Sequence, residues 1–263
     1  MTPRRRFGQH FLAPAWADKV VTAIAPQPAD RFLEIGPGPG ILTIRLAQRT
    51  RSLLAIEIDR DLAATLRQQL PRHALIVEGD FLDFDLTPVL ADGPLRIAGN
   101  LPYNISSPIL FKLLAAARQS ANLIDATVML QREVADRLVA VPGTKDYGVL
   151  TIFTGVQADV QRVLTLPPGA FRPPPQVNSA VVRMTFKPSR VPAETASLFE
   201  KMVRGMFMQR RKTLSNALRP FAESLGVQAP AALAAAGIDP MRRPETLTLD
   251  DLLRLAESLK PKA

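Results

Sequence analysis

Arg31-Phe32-Leu33-Glu34-Ile35-Gly36-Pro37-Gly38-Pro39-Gly40 runs from a short apolar segment directly into three glycines separated by prolines. The first half reads as a strand and the second as a tight turn into a helix near 40–49, the opening of a strand–turn–helix unit. The same alternation continues along the chain. Further strands are expected at 52–57, 74–78, 95–98 and 126–130, with helices near 60–70, 107–117 and 131–140. A helix over 13–25, marked by Trp16, Val20, Val21 and Ile24, precedes them and ends at Pro26. This pattern predicts an α/β, Rossmann-like, mostly parallel sheet with helices on both faces. In such sheets ligands bind beyond the carboxyl ends of the strands, so the loops there should carry function.

From Gly148 to Lys187 the chain reads as strand-rich, with segments at 149–154, 159–164 and 180–186. A boundary is expected near Pro188-Ser189-Arg190-Val191-Pro192, and the Ala- and Leu-rich remainder reads as helical. The chain therefore divides into a larger domain over 1–187 and a small all-helical domain over 188–263, without internal repeats.

Composition narrows the chemistry. With 263 residues and 47% hydrophobic content, a substantial core is available. The net charge of +9 suggests an anionic partner such as nucleic acid. The chain has no cysteine, and its two histidines, His10 and His73, lie far apart. Disulfides, thiolate chemistry and a histidine-based metal centre or triad are thus not expected, and no metal ligands are assigned. Met1 to Arg6 is basic but no apolar signal-peptide stretch follows, and no run approaches the ~20 apolar residues of a membrane span. The chain reads as a cytoplasmic protein with no membrane partner.

The glycine turn is not a dinucleotide fingerprint. Ile41 and Leu42 stand where a third spaced glycine is expected, and Pro37 and Pro39 remove two N–H donors that a pyrophosphate would need. A nucleoside bearing an amino-acid tail fits better. Glu57, at the end of the second strand, is placed to accept ribose hydroxyls. Asp80, followed by Phe81, ends the third strand and is placed to take an exocyclic adenine amine. Together these residues describe an S-adenosylmethionine pocket. Beyond the fourth strand, Asn100-Leu101-Pro102-Tyr103 combines amide and carbonyl acceptors, a fixed backbone direction and an aromatic face, which suits a flat amino-bearing heterocycle.

These pieces resemble one known family. Phe7-Gly8-Gln9-His10-Phe11-Leu12, Glu34 to Gly40, Glu57-Ile58-Asp59, Gly79-Asp80, Asn100 to Ile105, Met129 to Ala135 and Phe171 to Ser179 appear in the order found in ribosomal RNA adenine N6-dimethyltransferases. They are most similar to the bacterial branch acting on 16S RNA of the small subunit. The resemblance implies an S-adenosylmethionine-dependent enzyme that dimethylates two adjacent adenosines in the 3′-terminal hairpin of 16S RNA, with a role in subunit biogenesis. It implies that Gln9, His10, Leu12, Gly36, Gly38, Glu57, Asp80, Phe81 and Asn100 border the cofactor. Asn100, Leu101 and Pro102 would hold the target amine, and Tyr103 and Phe171 would sandwich the flipped adenine. RNA contact is expected from Arg4, Arg5, Arg6, Arg204, Arg210, Arg211 and Lys212, the last four on one predicted helix, in a monomer. The alternatives are a methyltransferase for large-subunit RNA or DNA adenine, or a non-catalytic assembly factor. Leu101 stands where DNA amino-methyltransferases usually have proline, which argues against DNA.

Overall fold

The computed structural model describes residues 10–260. It begins with a two-residue strand β1 (Phe11–Leu12) and helix α1 (Pro14–Ile24). Helix α1 stops where Ala25 turns left-handed (φ 52°) ahead of Pro26. Five βα steps follow: β2 (Arg31–Ile35) to α2 (Ile41–Ala47), β3 (Ser52–Glu57) to α3 (Arg60–Arg67), β4 (Ala74–Glu78) to α4 (Thr87–Ala91), β5 (Leu95–Asn100) to α5 (Ser106–Gln119), and β6 (Leu123–Gln131) to α6 (Arg132–Leu138). Helix α3 starts where the Asp59 carboxylate accepts the Asp61 and Leu62 N–H groups as its N-cap. Then come α7 (Val149–Gly155), β7 (Ala158–Leu166), β8 (Phe171–Arg172) and β9 (Ser179–Phe186), and finally α8 (Ala196–Met208), α9 (Leu214–Ser224), α10 (Ala229–Ala235) and α11 (Leu249–Ser258).

The seven-stranded sheet has the order β4-β3-β2-β5-β6-β9-β7. Strands β4 to β6 are parallel, whereas β9 runs antiparallel to both β6 and β7. The predicted α/β class is therefore the observed one. Chain order reverses at β2: β3 lies on one side of it and β5 on the other. Ile35 sits opposite both Ile56 and Gly99, and Asn100 opposite Met129, so these strands end nearly level. The crevice at that switch point receives the Gly36–Gly40 turn from one strand and Asn100 from its neighbour.

The chain forms two compact units, one reaching Asp136 and resuming over Gln157–Pro188, the other holding Arg137–Val156 and the chain from Ser189 onward. A single cut at 187/188 misses the excursion over 137–156. Val149–Thr154, expected as a strand, is helix α7 instead. The Thr151 hydroxyl accepts the Gly148 N–H (3.3 Å) and donates to the Arg137 carbonyl (2.5 Å), fixing the first turn. Ile152 and Val156 are buried with Tyr147, Phe199, Met202, Leu214, Leu233 and Leu252 in the core of the helical unit. Burial among helices outweighs the strand preference of Val149, Thr151, Ile152 and Thr154.

Candidate active site

One pocket gathers the ends of β2, β3, β4 and β5 together with the segment around β1. His10, Leu12, Gly36, Gly38, Glu57, Asp80, Phe81, Asn100, Leu101, Pro102 and Tyr103 all line it. Gln9, Arg4, Arg5 and Arg6 lie outside the described residues.

Glu57 ends β3 and is almost fully buried. Its Oε2 accepts the Gly38 N–H and its Oε1 the Asp59 N–H, both at 2.9 Å. Burial pushes its pKa up, and those two backbone donors hold it back. The carboxylate thus pins the glycine turn, while spare lone pairs remain for hydroxyl donors. Gly38 itself has φ +56°, and a Cβ there would come within 3.1 Å of the Phe11 ring. The left-handed conformation favours glycine here, and a side chain would also need the Phe11 ring to shift by a few tenths of an ångström. Asp80 directs Oδ1 to the Leu82 N–H (2.8 Å), which fixes the loop after β4. Phe81 turns inward and is 5% exposed.

Asn100 is the last residue of β5 rather than the first of a loop. Its Nδ2 donates to the His10 carbonyl at 2.7 Å, leaving Oδ1 as the acceptor for an incoming amine. The adjoining Leu101 is anchored through its N–H to the Met129 carbonyl (3.2 Å). The Tyr103 hydroxyl shares a 2.5 Å hydrogen bond with Ser179 Oγ, and burial raises its pKa, so it remains a neutral phenol with a fixed ring.

Phe171 needs correction. It is fully buried in β8, packed with Leu12, Met129, Leu166, Ala170 and Val181, and does not line the pocket. The ring facing Tyr103 is His10, with centroids 5.4 Å apart and planes 26° from parallel. His10 is held there by Nδ1 against the Pro173 carbonyl (2.8 Å). The sequence does not reveal this burial, because β8 is two residues long and its pairing with β1 has no periodic signature.

Sequence reasoning assigned no role to Glu34 or Ile58. Glu34 on β2 is 1% exposed and lines the pocket. Its Oε2 and the Thr43 hydroxyl both lack hydrogen-bond partners. Burial pushes its pKa up to about 8; the nearby Thr43 hydroxyl and the Glu57 charge are smaller influences. Ile58 is 47% exposed yet lines the pocket; its place directly after Glu57 at the strand end is the only sequence signal for it.

These residues fit S-adenosylmethionine. A carboxylate at one strand end suits ribose hydroxyls, a second beside Phe81 and Ile58 suits an amine-bearing aromatic base, and the glycine turn leaves backbone room for an amino-acid tail. Among the described residues no group of three or more His, Asp or Glu is arranged to hold a metal.

The basic residues of the helical unit are not on one helix. Arg210, Arg211 and Lys212 occupy the loop between α8 and α9. Arg204 pairs with Glu200 at 2.9 Å. Arg210 pairs with Glu245 at 2.7 Å and donates to the Lys145 carbonyl at 3.0 Å, whereas Arg211 and Lys212 are exposed.

Comparison with known proteins follows the same direction. The model of the family described as "Ribosomal RNA adenine dimethylase" matches residues 1–260. The chain is 46% identical over 263 residues to "Ribosomal RNA small subunit methyltransferase A" of Chromobacterium violaceum, covering 99% of this chain and 97% of that one. It is 44% identical over 262 residues to the protein of the same name from Syntrophotalea carbinolica, covering 98% and 97%. Among solved structures it resembles a dimethyladenosine transferase from Plasmodium falciparum (TM-score 0.74, 25% identity, 94% of this chain and 96% of that one). It also resembles the 23S rRNA methyltransferase ErmE (TM-score 0.69, 28% identity, 95% and 99%).

Proposed function

Because the chain belongs to the ribosomal RNA adenine dimethylase family, we propose that this S-adenosylmethionine-dependent enzyme acts on two adjacent adenosines in the 3′-terminal hairpin of small-subunit RNA. It converts each to the N6,N6-dimethyl form, working as a cytoplasmic monomer, and the modification marks a stage of subunit assembly. Relatives 44–46% identical over almost their whole length are named for the small subunit, which favours that substrate over large-subunit RNA. Among the described residues no helix is long and apolar enough to cross a membrane.

The observation that carries the reading is the fixed amide of Asn100. With Nδ2 committed to the His10 carbonyl, Oδ1 accepts one N–H of the adenine amine and the Leu101 carbonyl accepts the other. Both acceptors draw the amine toward a tetrahedral geometry, so its lone pair leaves ring conjugation. Pro102 holds the backbone direction that aims the Leu101 carbonyl. The cofactor supplies an electrophilic methyl group on a sulfonium. In-line positioning of amine and methyl then carries much of the rate, up to roughly 7–11 kcal/mol in well-oriented systems. Tyr103, locked by Ser179, supplies a stacking face that offsets base flipping by about 1–3 kcal/mol. The His10 ring must yield part of that face as the base enters. Transfer would break the bond from sulfur to methyl, leaving a neutral thioether, and the methylated amine would release one N–H proton to solvent; the N–H that remains bonds one acceptor, which allows the second transfer.

The cofactor is held by Glu57 at the ribose, Asp80 with Phe81 and Ile58 at the adenine, and the Gly36–Gly38 backbone with His10, Leu12 and Glu34 around the methionine part. RNA contact falls to the exposed cations of the helical unit. There, the loops around Lys145, Arg211–Lys212 and Arg243 are tied together by Arg210 and by the Gly143–Glu245 and Leu214–Arg242 backbone hydrogen bonds.

The test is a methyl-labelled cofactor offered with unmethylated small subunits, large subunits and DNA. Label in small-subunit RNA, recovered as dimethyladenosine, is the expected result. Label confined to DNA or the large subunit overturns the substrate assignment, and no label anywhere turns the reading to a binding factor. Asn100→Ala should lower kcat by about 10²–10³, the loss typical of removing one group that steadies a transition state, and weaken cofactor binding by a smaller factor.

A further inference from the structure

Lys112 stands in the second turn of α5, one turn beyond Ile109, which lines the pocket. Its ammonium is turned into the loop after β4 rather than toward solvent. Nζ donates to the Leu82 carbonyl at 2.7 Å and to the Phe84 carbonyl at 2.6 Å. It also lies 5.3 Å from the centroid of the Phe81 ring. The loop makes three tight backbone turns of its own, Asp83 and Phe84 N–H to the Asp80 carbonyl and Phe84 N–H to the Phe81 carbonyl, and Asp80 Oδ1 caps the Leu82 N–H. Those bonds shape the loop but attach it to nothing else. Lys112 supplies the attachment, by two charge-assisted hydrogen bonds and a cation–π contact. Desolvation lowers its pKa, and the carboxylates of Asp83, Asp80 and Asp85 oppose that shift.

We propose that Lys112 is a positioning residue for cofactor recognition: it clamps the Asp80–Phe84 loop to α5 so that the Asp80 carboxylate and the Phe81 ring meet the adenine of S-adenosylmethionine. The proposal rests on the assignment of Asp80 and Phe81 to the adenine. It makes the adenine end of the pocket depend on a residue that touches no part of the cofactor. A lysine in the middle of an amphipathic helix reads from sequence as a solvated surface charge, and only its two carbonyl partners reveal its task.

The experiment compares wild type with Lys112→Met, which keeps the unbranched stem, and Lys112→Arg, which keeps two donors. Binding of S-adenosylmethionine and of 5′-methylthioadenosine, which lacks the amino-acid tail, is measured calorimetrically, together with KM and kcat for methyl transfer and the thermal midpoint. For Lys112→Met both Kd values should rise together by about tenfold, the size of one charge-assisted hydrogen bond. KM for the cofactor should rise with them, and kcat at saturating cofactor should stay within about twofold. Lys112→Arg should recover most of the affinity. Unchanged Kd values with a lower thermal midpoint would make Lys112 purely structural and overturn the proposal, as would a loss confined to kcat. If Lys112→Met does not fold, Lys112→Gln takes its place, and wild-type Kd values in that variant alongside unchanged amide exchange at residues 81–84 refute the clamp. Asp80→Asn separates the two levels of the argument. If it leaves 5′-methylthioadenosine binding intact, the adenine assignment itself falls. If it weakens binding while Lys112→Met does not, only the clamp falls.

Discussion

A carboxylate buried without a hydrogen bond at one oxygen is costly when ionised, and Glu34 is such a group. In the folded chain its pKa is pushed up to about 8 from an ordinary 4.5. Below pH 4.5 the group is neutral folded or unfolded, and its burial carries no charge penalty. Between 4.5 and 8 the unfolded chain releases the proton while the folded chain keeps it, so stability falls as pH rises and levels off above 8. At ~1.4 kcal/mol per pH unit the total is on the order of several kcal/mol for the free enzyme. Glu34→Gln should therefore flatten the fall of the thermal midpoint between pH 5 and 8 and be the more stable form at pH 8. Parallel pH profiles for the two proteins would show that Glu34 does not titrate there. Such residues mark the limit of sequence reading. Asn100, Glu57 and Asp80 were legible because each is polar at the end of an apolar run, where a ligand is expected. Glu34 sits inside its run and Lys112 on an amphipathic helix, and only three-dimensional neighbours distinguish them from ordinary charges.

At the level of elements, the parallel strands are apolar runs of strand length, and β2, β3 and β4 lie where the periodicity puts them, whereas β5 and β6 extend beyond their expected 95–98 and 126–130 to Leu95–Asn100 and Leu123–Gln131. The two-residue strands β1 and β8 and the one-turn helix α4 are too short to leave a period. Helix α7 departs from the strand expectation because a segment with four β-branched residues in six gives no clue that its neighbours are helices. What the strands do for the site depends on how closely β2 and β5 approach, and Gly99 sets that distance. A Cβ on Gly99 would come within 2.6 Å of the Ile35 carbonyl oxygen and 3.3 Å of its Cβ. Backbone cannot yield as a flexible side chain does, so Gly99→Ala must push β5 away from β2, at about 1–3 kcal/mol for overpacking of this kind. The glycine turn follows β2 and Asn100 ends β5, so the same displacement moves the amide acceptor relative to the methyl donor's site. We expect a lower denaturant midpoint together with a kcat reduction larger than the change in cofactor Kd. Wild-type kcat in a measurably destabilised Gly99→Ala protein would show that the site tolerates strand separation.

At the scale of the whole molecule the excess of 33 basic over 24 acidic residues is a field rather than a site, and ion pairing decides which cations remain for a polyanion. Arg96 is consumed internally, bridging Asp30 (2.6 Å) and Asp125 (2.8 Å), and Arg242 pairs with Asp251 at 3.2 Å. Arg210 braces its loop against Glu245 and the Lys145 carbonyl. Arg211 and Lys212, next to it in sequence, are exposed, and three consecutive cations that look equivalent in the sequence thus divide into a brace and two solvent-facing side chains. The division predicts different phenotypes. Arg211→Ala with Lys212→Ala should weaken binding to small-subunit RNA and make the slope of log K against log salt shallower by about two, since each lost phosphate contact removes about one counterion. The thermal midpoint and cofactor Kd should not change. Arg210→Ala should instead lower the thermal midpoint, because it frees Glu245 and untethers the Thr144–Lys145 turn, and any loss of RNA affinity should track that loosening. Salt titrations and melting curves on both proteins decide it: a steep slope retained in the double variant removes Arg211 and Lys212 from the interface, and an unchanged midpoint in Arg210→Ala returns Arg210 to the contact set.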